Sequence, residues 1–210
     1  IDAGVHHVPI RYVPYNGASV IPRWLRVAPE RPRVCLTLGT AAAERLGGYE
    51  APVGELLEAL ADLDIEVVAT LSQQQQERLG TQPENVRMVS FVPLHALVPT
   101  CSAVIHHGGG GSYCTPLLGG VPQLILPKLF DAPLRARNLA ARGAGLMIPS
   151  DLATGAAVRE AVLRLLSEPS FRRDAQRLRE EVLTMPTPNE VVPELERLVA
   201  HYRPADALAR

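Results

Sequence analysis

The chain has 210 residues, of which 47% are hydrophobic and 20% charged, and its formal net charge is −1. That balance suits one soluble globular domain with a real core, and it offers no basic face for nucleic acid or an anionic membrane surface. No apolar run nears the roughly 18 residues of a membrane span, and three cysteines without CxxC spacing, Cys35, Cys101 and Cys114, read as reduced, metal-free thiols of a cytoplasmic protein.

In chain order, residues 1–30 are a lead-in in which Pro14, the Asn16-Gly17 pair and Pro22 interrupt any regular element. A domain is expected to begin near Arg31 and to run to residue 203, with residues 204–210 as a disordered tail. Short β-branched runs then alternate with helical patterns: strands are expected at 33–38, 65–71, 86–91, 103–107, 122–127 and 144–148. Between them, residues 51–63 place Val53, Leu56, Leu57 and Leu60 on one helix face, and "PLRARNLAARG" starts with a proline suited to a first helical turn. Beyond residue 148, three further helical patterns follow without a strand. The fold class is therefore α/β: a Rossmann-like, doubly wound parallel sheet of about six strands with a helical tail.

Within that order, "HHGGGGS" at 106–112 follows a strand and precedes a helix. A glycine turn at a strand's carboxyl end lets backbone N–H groups face a phosphate, with Ser112 as the helix N-cap; a merely flexible polyglycine loop is the alternative. A Rossmann GxGxxG from Gly108 meets Tyr113 at its last position, and a Walker A lysine is absent, which disfavours NAD and ATP.

The run from "HHGGGGSYCT" through "GGVPQLILPKLFDAPLRARNLAARGAG" resembles the nucleotide-sugar-binding carboxyl-terminal domain of family 1 glycosyltransferases with the GT-B fold. "VPYNGASVIPRWL", "RPRVCLTLG", "FVPLHALVPTCSAVIHHGG" and "PNEVVPELERL" extend the likeness to the macrolide deoxyaminosugar transferases, the desosaminyl- and forosaminyltransferase kind. The resemblance implies a dTDP-sugar donor, a macrolide or related polyketide acceptor, and inversion at the anomeric carbon, with no metal or cofactor. It also implies that the chain begins in an interdomain linker, that the general base and acceptor pocket lie in an amino-terminal domain, and that this chain binds dTDP without transferring sugar. A cytochrome-P450-like auxiliary protein and a homodimer are further partners that it suggests.

Carried over by residue, the resemblance implies that His107 and the N–H groups of Gly109, Gly110, Gly111 and Ser112 hold the diphosphate, while His106 faces the core. Gly39 and Thr40 would lie near the phosphates, or form an ordinary strand-to-helix turn. Phe91 and Val92 would hold the base, with Phe91 as plain core the alternative. Thr115 stands eight residues after His107, where UDP-sugar enzymes commonly carry a glutamate for the ribose hydroxyls. A deoxyribose lacks the 2′-OH, so a hydroxyl side chain there suits dTDP. Asp131 and Ala132 replace an Asp-Gln pair at the sugar, a less polar surface that suits a deoxygenated sugar; Asp131 as a helix N-cap is the competing reading. A UDP-sugar transferase or epimerase of the same fold, or a stand-alone nucleotide-binding module, remain the alternative functions.

Overall fold

A computed structural model describes residues 4–39, 52–128 and 130–202. All six expected strands form, each shorter than its apolar run: β1 (Arg33–Thr37), β2 (Glu66–Thr70), β3 (Val86–Val89), β4 (Ala103–His106), β5 (Gln123–Ile125) and β6 (Gly145–Met147). They make one wholly parallel sheet in the order β3-β2-β1-β4-β5-β6. The order reverses direction between β1 and β4, where Thr37 pairs with His106, so a crevice opens at the carboxyl ends of these two strands.

Both faces of the sheet are covered, which is why its strands read as unbroken apolar runs. Neighbouring residues of β1 serve opposite sides: Val34 and Leu36 pack with Leu56, Leu57, Ile105 and Val162, whereas Cys35 packs with Val68, Leu97, Val104 and Val121. The helices are α1 (Val53–Glu58), α2 (Gln73–Leu79), α3 (Leu94–Leu97), α4 (Gly110–Gly119), α5 (Ala132–Ala141), α6 (Gly155–Ser167), α7 (Pro169–Leu183) and α8 (Pro188–Tyr202). The last three are the expected helical tail, and α6 is capped by Thr154, whose hydroxyl accepts from the N–H of Ala157. None of the described helices is long and apolar enough to cross a membrane.

The lead-in holds one regular turn that its prolines and Asn-Gly pair did not announce, a 3-10 segment at Arg23–Arg26. Its cause is tertiary. Leu25 is buried in the core, and Trp24 carries the guanidinium groups of Arg33 and Arg87 at 5.3 and 4.9 Å from its ring centre. Glu66 links the two arginines, bonding Arg33 Nε at 2.9 Å and Arg87 Nε at 3.4 Å. Trp24→Ala should therefore lower the unfolding free energy by about 2 kcal/mol, short of a fully buried Trp→Ala change because the ring is only half-buried. Urea unfolding checks this: the midpoint falls, and nucleotide binding at the opposite edge of the sheet is unchanged. An unaltered midpoint would mean the ring does not anchor the lead-in.

Candidate functional site

Three segments meet at the crevice: Gly39 after β1, residues 107–109 after β4, and the first turn of α4. The turn is built from His106 upward. This residue is fully buried at the end of β4, its Nε2 lies 2.7 Å from Gln123 Oε1, and its Nδ1 accepts the N–H of Gly108 at 3.0 Å. Because Nδ1 accepts, the proton of the neutral ring sits on Nε2 and is donated to Gln123. Burial drives the His106 pKa down to about 3 against the opposing effect of the Gln123 bond, so the ring is neutral at physiological pH. His106 is thus the core histidine expected of the pair.

Gly108 has φ +88°, a conformation that glycine adopts without strain, and its carbonyl accepts from Arg135 Nη1 at 2.8 Å. Both polar groups of this residue are therefore gripped by side chains from β4 and α5. The next residue turns the chain into α4: the N-cap is Gly109, which leaves Ser112 inside the first turn rather than at the expected N-cap position. The N–H groups opening α4 point along the helix axis into the crevice, where a helix N-terminus favours an anion. At the far end, α7 secures the helix, with Gln176 Nε2 donating to the Gly120 carbonyl at 3.1 Å and Arg179 Nε to that of Leu118 at 3.0 Å.

His107 stands between two glycines. A Cβ added at Gly39 would lie 2.5 Å from its Cε1, and one added at Gly109 would lie 2.5 Å from its Nε2. The half-buried ring is thus clamped by bare backbone on both sides. Burial lowers the His107 pKa, and a hydrogen bond with the Thr37 backbone opposes that shift.

The other expected residues separate. Thr40 lies outside the described residues. Phe91 is 59% exposed, so it is not core, while Val92 is buried beside Leu97. Both follow β3, three strands from β4 and so about 14 Å along the same carboxyl edge. Thr115 is buried and donates its hydroxyl to the Gly111 carbonyl at 2.7 Å, one turn back in α4. Asp131 does occupy the N-cap position of α5, but its side chain makes no capping bond and pairs with Arg135 instead. Ala132, expected at the sugar, is buried at the start of α5 against Gly108.

Arg135 is the residue that the sequence reading missed. Its signal was present as the i,i+4 Asp-to-Arg spacing of "DAPLR", although its bond to Gly108 is not visible in that spacing. Tyr12 of the lead-in also approaches α4, with its hydroxyl 3.4 Å from where a Cβ of Gly111 would stand. Gly110 and Gly111 at the opening of α4 are exposed; a cleft of about 680 Å³ around Trp24 and Arg87 lies at the amino ends of the strands, and a hollow of about 450 Å³ lies beside α5 at Lys128 and Arg137. The turn lines neither.

Comparisons with known proteins agree with this fold. Residues 54–198 match the family described as "Erythromycin biosynthesis protein CIII-like, C-terminal domain", and residues 1–39 match the corresponding N-terminal domain. The chain is 54% identical to the 10-deoxymethynolide desosaminyltransferase of Streptomyces venezuelae over 209 residues, covering 99% of this chain and 49% of that protein. Spinosyn forosaminyltransferase SpnP superposes with a TM-score of 0.82 at 46% identity, over 92% of this chain and 50% of its own. The glycosyltransferase VinC in complex with dTDP superposes with a TM-score of 0.86 at 42% identity, over 96% and 50%. The chain spans about half the length of the curated relatives it matches.

Proposed function

The chain belongs to the erythromycin biosynthesis protein CIII-like family of glycosyltransferases, and on that premise we propose that it is the donor-binding part of an inverting enzyme of antibiotic biosynthesis. That enzyme moves a deoxysugar or deoxyaminosugar from a dTDP-sugar to a hydroxyl of a macrolide or related polyketide aglycone. The observation that carries the reading is the gripped turn at Gly108, which aims the N–H groups opening α4, and the clamped His107, into the switch-point crevice.

The chemistry of such a site follows from charge. As the bond from the anomeric carbon to the diphosphate oxygen breaks, negative charge grows on the β-phosphate. Fixed N–H donors from Gly109, Gly110, Gly111 and Ser112, joined by His107 as an imidazolium once the charge of the diphosphate favours its protonated form, stabilise that charge more than the ground state and so lower the barrier. The acceptor oxygen enters from the opposite face of the sugar, which inverts the anomeric carbon, and its proton passes to a base carried by the acceptor side. Phe91, exposed on the same edge, offers a face for the thymine ring. Thr115 offers no carboxylate to a ribose 2′-OH, which fits a deoxynucleotide. The exposed Gly110 and Gly111 fit a site completed by a second domain, where the aglycone would bind; a P450-like auxiliary protein and a homodimer belong to that larger assembly.

Calorimetry with dTDP, UDP and NAD tests this reading. The chain should bind dTDP, bind UDP more weakly and NAD not at all, and give no transfer to a macrolide acceptor. His107→Ala should weaken dTDP binding by ten- to a hundredfold, about 1.4 to 3 kcal/mol. UDP binding as tight as dTDP would remove the role of Thr115, and turnover by this chain alone would overturn the division of labour.

A further inference from the structure

Arg135 uses its guanidinium fork on two partners at once. Nη1 donates to the Gly108 carbonyl at 2.8 Å, and Nη2 pairs with the Asp131 carboxylate one turn earlier in α5. The fork also runs alongside the start of α4, with Nη2 3.9 Å from where a Cβ of Gly110 would stand. An ordinary i,i+4 surface pair needs no backbone partner, and an N-cap aspartate ordinarily accepts from its own helix. Here Asp131 forgoes the capping bond, and the arginine it holds closes the grip on Gly108 that His106 begins.

We propose that Arg135 is a positioning residue of the donor site: it fixes the Gly108 peptide so that the N–H groups of α4 face the diphosphate, and it places a permanent cation beside them. Asp131 acts on the diphosphate through Arg135, by holding the guanidinium, rather than on the sugar alone. The inference rests on the reading of the glycine turn as the diphosphate site. A lysine cannot replace the fork, since one ammonium on a flexible stem does not serve a carbonyl and a carboxylate in the same plane.

The test compares dTDP, which has the diphosphate but no transferable sugar attached to it, with thymidine, which lacks both. Affinities and thermal midpoints are measured for the wild-type chain, Arg135→Met, Arg135→Lys, Asp131→Asn and the Asp131→Asn/Arg135→Met double variant. Arg135→Met should weaken dTDP by about tenfold or more and thymidine by less than about twofold, with Arg135→Lys restoring only part of the loss. Asp131→Asn should change dTDP affinity in the wild-type background and leave it unchanged in Arg135→Met, the mark of action through the arginine. Should Arg135→Met unfold, Arg135→Lys decides the matter by lowering the dTDP-to-thymidine ratio or not.

Three results would overturn the inference while leaving the donor site intact. One is a parallel fall of dTDP and thymidine that tracks the thermal midpoint. Another is an Asp131→Asn effect on dTDP that is equal in both backgrounds, and the third is no such effect in either, as a purely sugar-facing aspartate would give. A wild-type chain that does not bind dTDP would instead overturn the donor-site reading itself.

Discussion

Gly109→Ala should cost about a hundredfold in dTDP affinity, about 3 kcal/mol, while leaving the protein folded. The added methyl would stand 2.5 Å from His107 Nε2, well inside van der Waals contact, so the ring must move. It can do so, because His107 is half-buried beside the exposed Gly110 and Gly111, and the fold therefore loses only about 1 kcal/mol. The site loses more, because the imidazole is pushed off the position from which it faces the phosphate. Gly39→Ala meets the same ring from the other side, at 2.5 Å from Cε1, and also forces an alanine to φ +73°, which adds about 1–2 kcal/mol of backbone strain. Its thermal midpoint should fall further than that of Gly109→Ala for a similar loss of binding. Because both changes act through one side chain, Gly109→Ala should add little to His107→Ala in the double variant. Calorimetry and melting curves on the set decide it. Wild-type binding by Gly109→Ala would mean the ring is not part of the phosphate site.

How much of this was legible in the sequence depends on how local the cause is. The six strands were visible because a sheet covered on both faces needs unbroken apolar runs, and "RVCLTL" and "AVIHH" have no other economical reading. The apolar runs overshoot the strands by a residue or two, since Leu38, His107 and Phe91 continue the pattern of residue types while the backbone has already left the ladder to form turns. The place of the glycine turn was legible for the same reason, as a strand followed by glycines and a helix. Which glycine starts the helix was not. Within four identical residues the choice is made by His106 and Arg135, which bond the N–H and the carbonyl of Gly108, and one of those partners comes from 27 residues further along the chain. Trp24 failed to signal its turn for a like reason, because its partners Arg33 and Arg87 sit on two different strands.

Acid should destabilise the protein through His106 before carboxylate protonation dominates. The folded-state pKa of this ring is about 3, lowered by burial, against about 6.5 for an unfolded histidine. Between those values the unfolded chain binds a proton that the folded chain does not, so the stability associated with His106 is complete above pH 6.5 and is lost as pH falls through that window. The loss is about 3 kcal/mol at pH 4.5 and about 4 kcal/mol at pH 3. His107, also lowered, acts with the same sign, so the informative quantity is the difference between the wild type and His106→Asn. The asparagine oxygen can still accept the Gly108 N–H but cannot reach Gln123, which should cost about 2 kcal/mol at neutral pH and remove most of the His106 share of the acid slope. Urea midpoints at pH 7.5, 5.5 and 4.5 test this, and parallel losses in the two proteins would place the acid sensitivity elsewhere. The same tautomer couples stability to function. Nδ1 accepts from Gly108 only while the ring is neutral, and in the folded chain it stays neutral until pH nears 3, so the grip on the glycine turn and dTDP binding by the folded protein should outlast most of the stability loss and fail only near that pH.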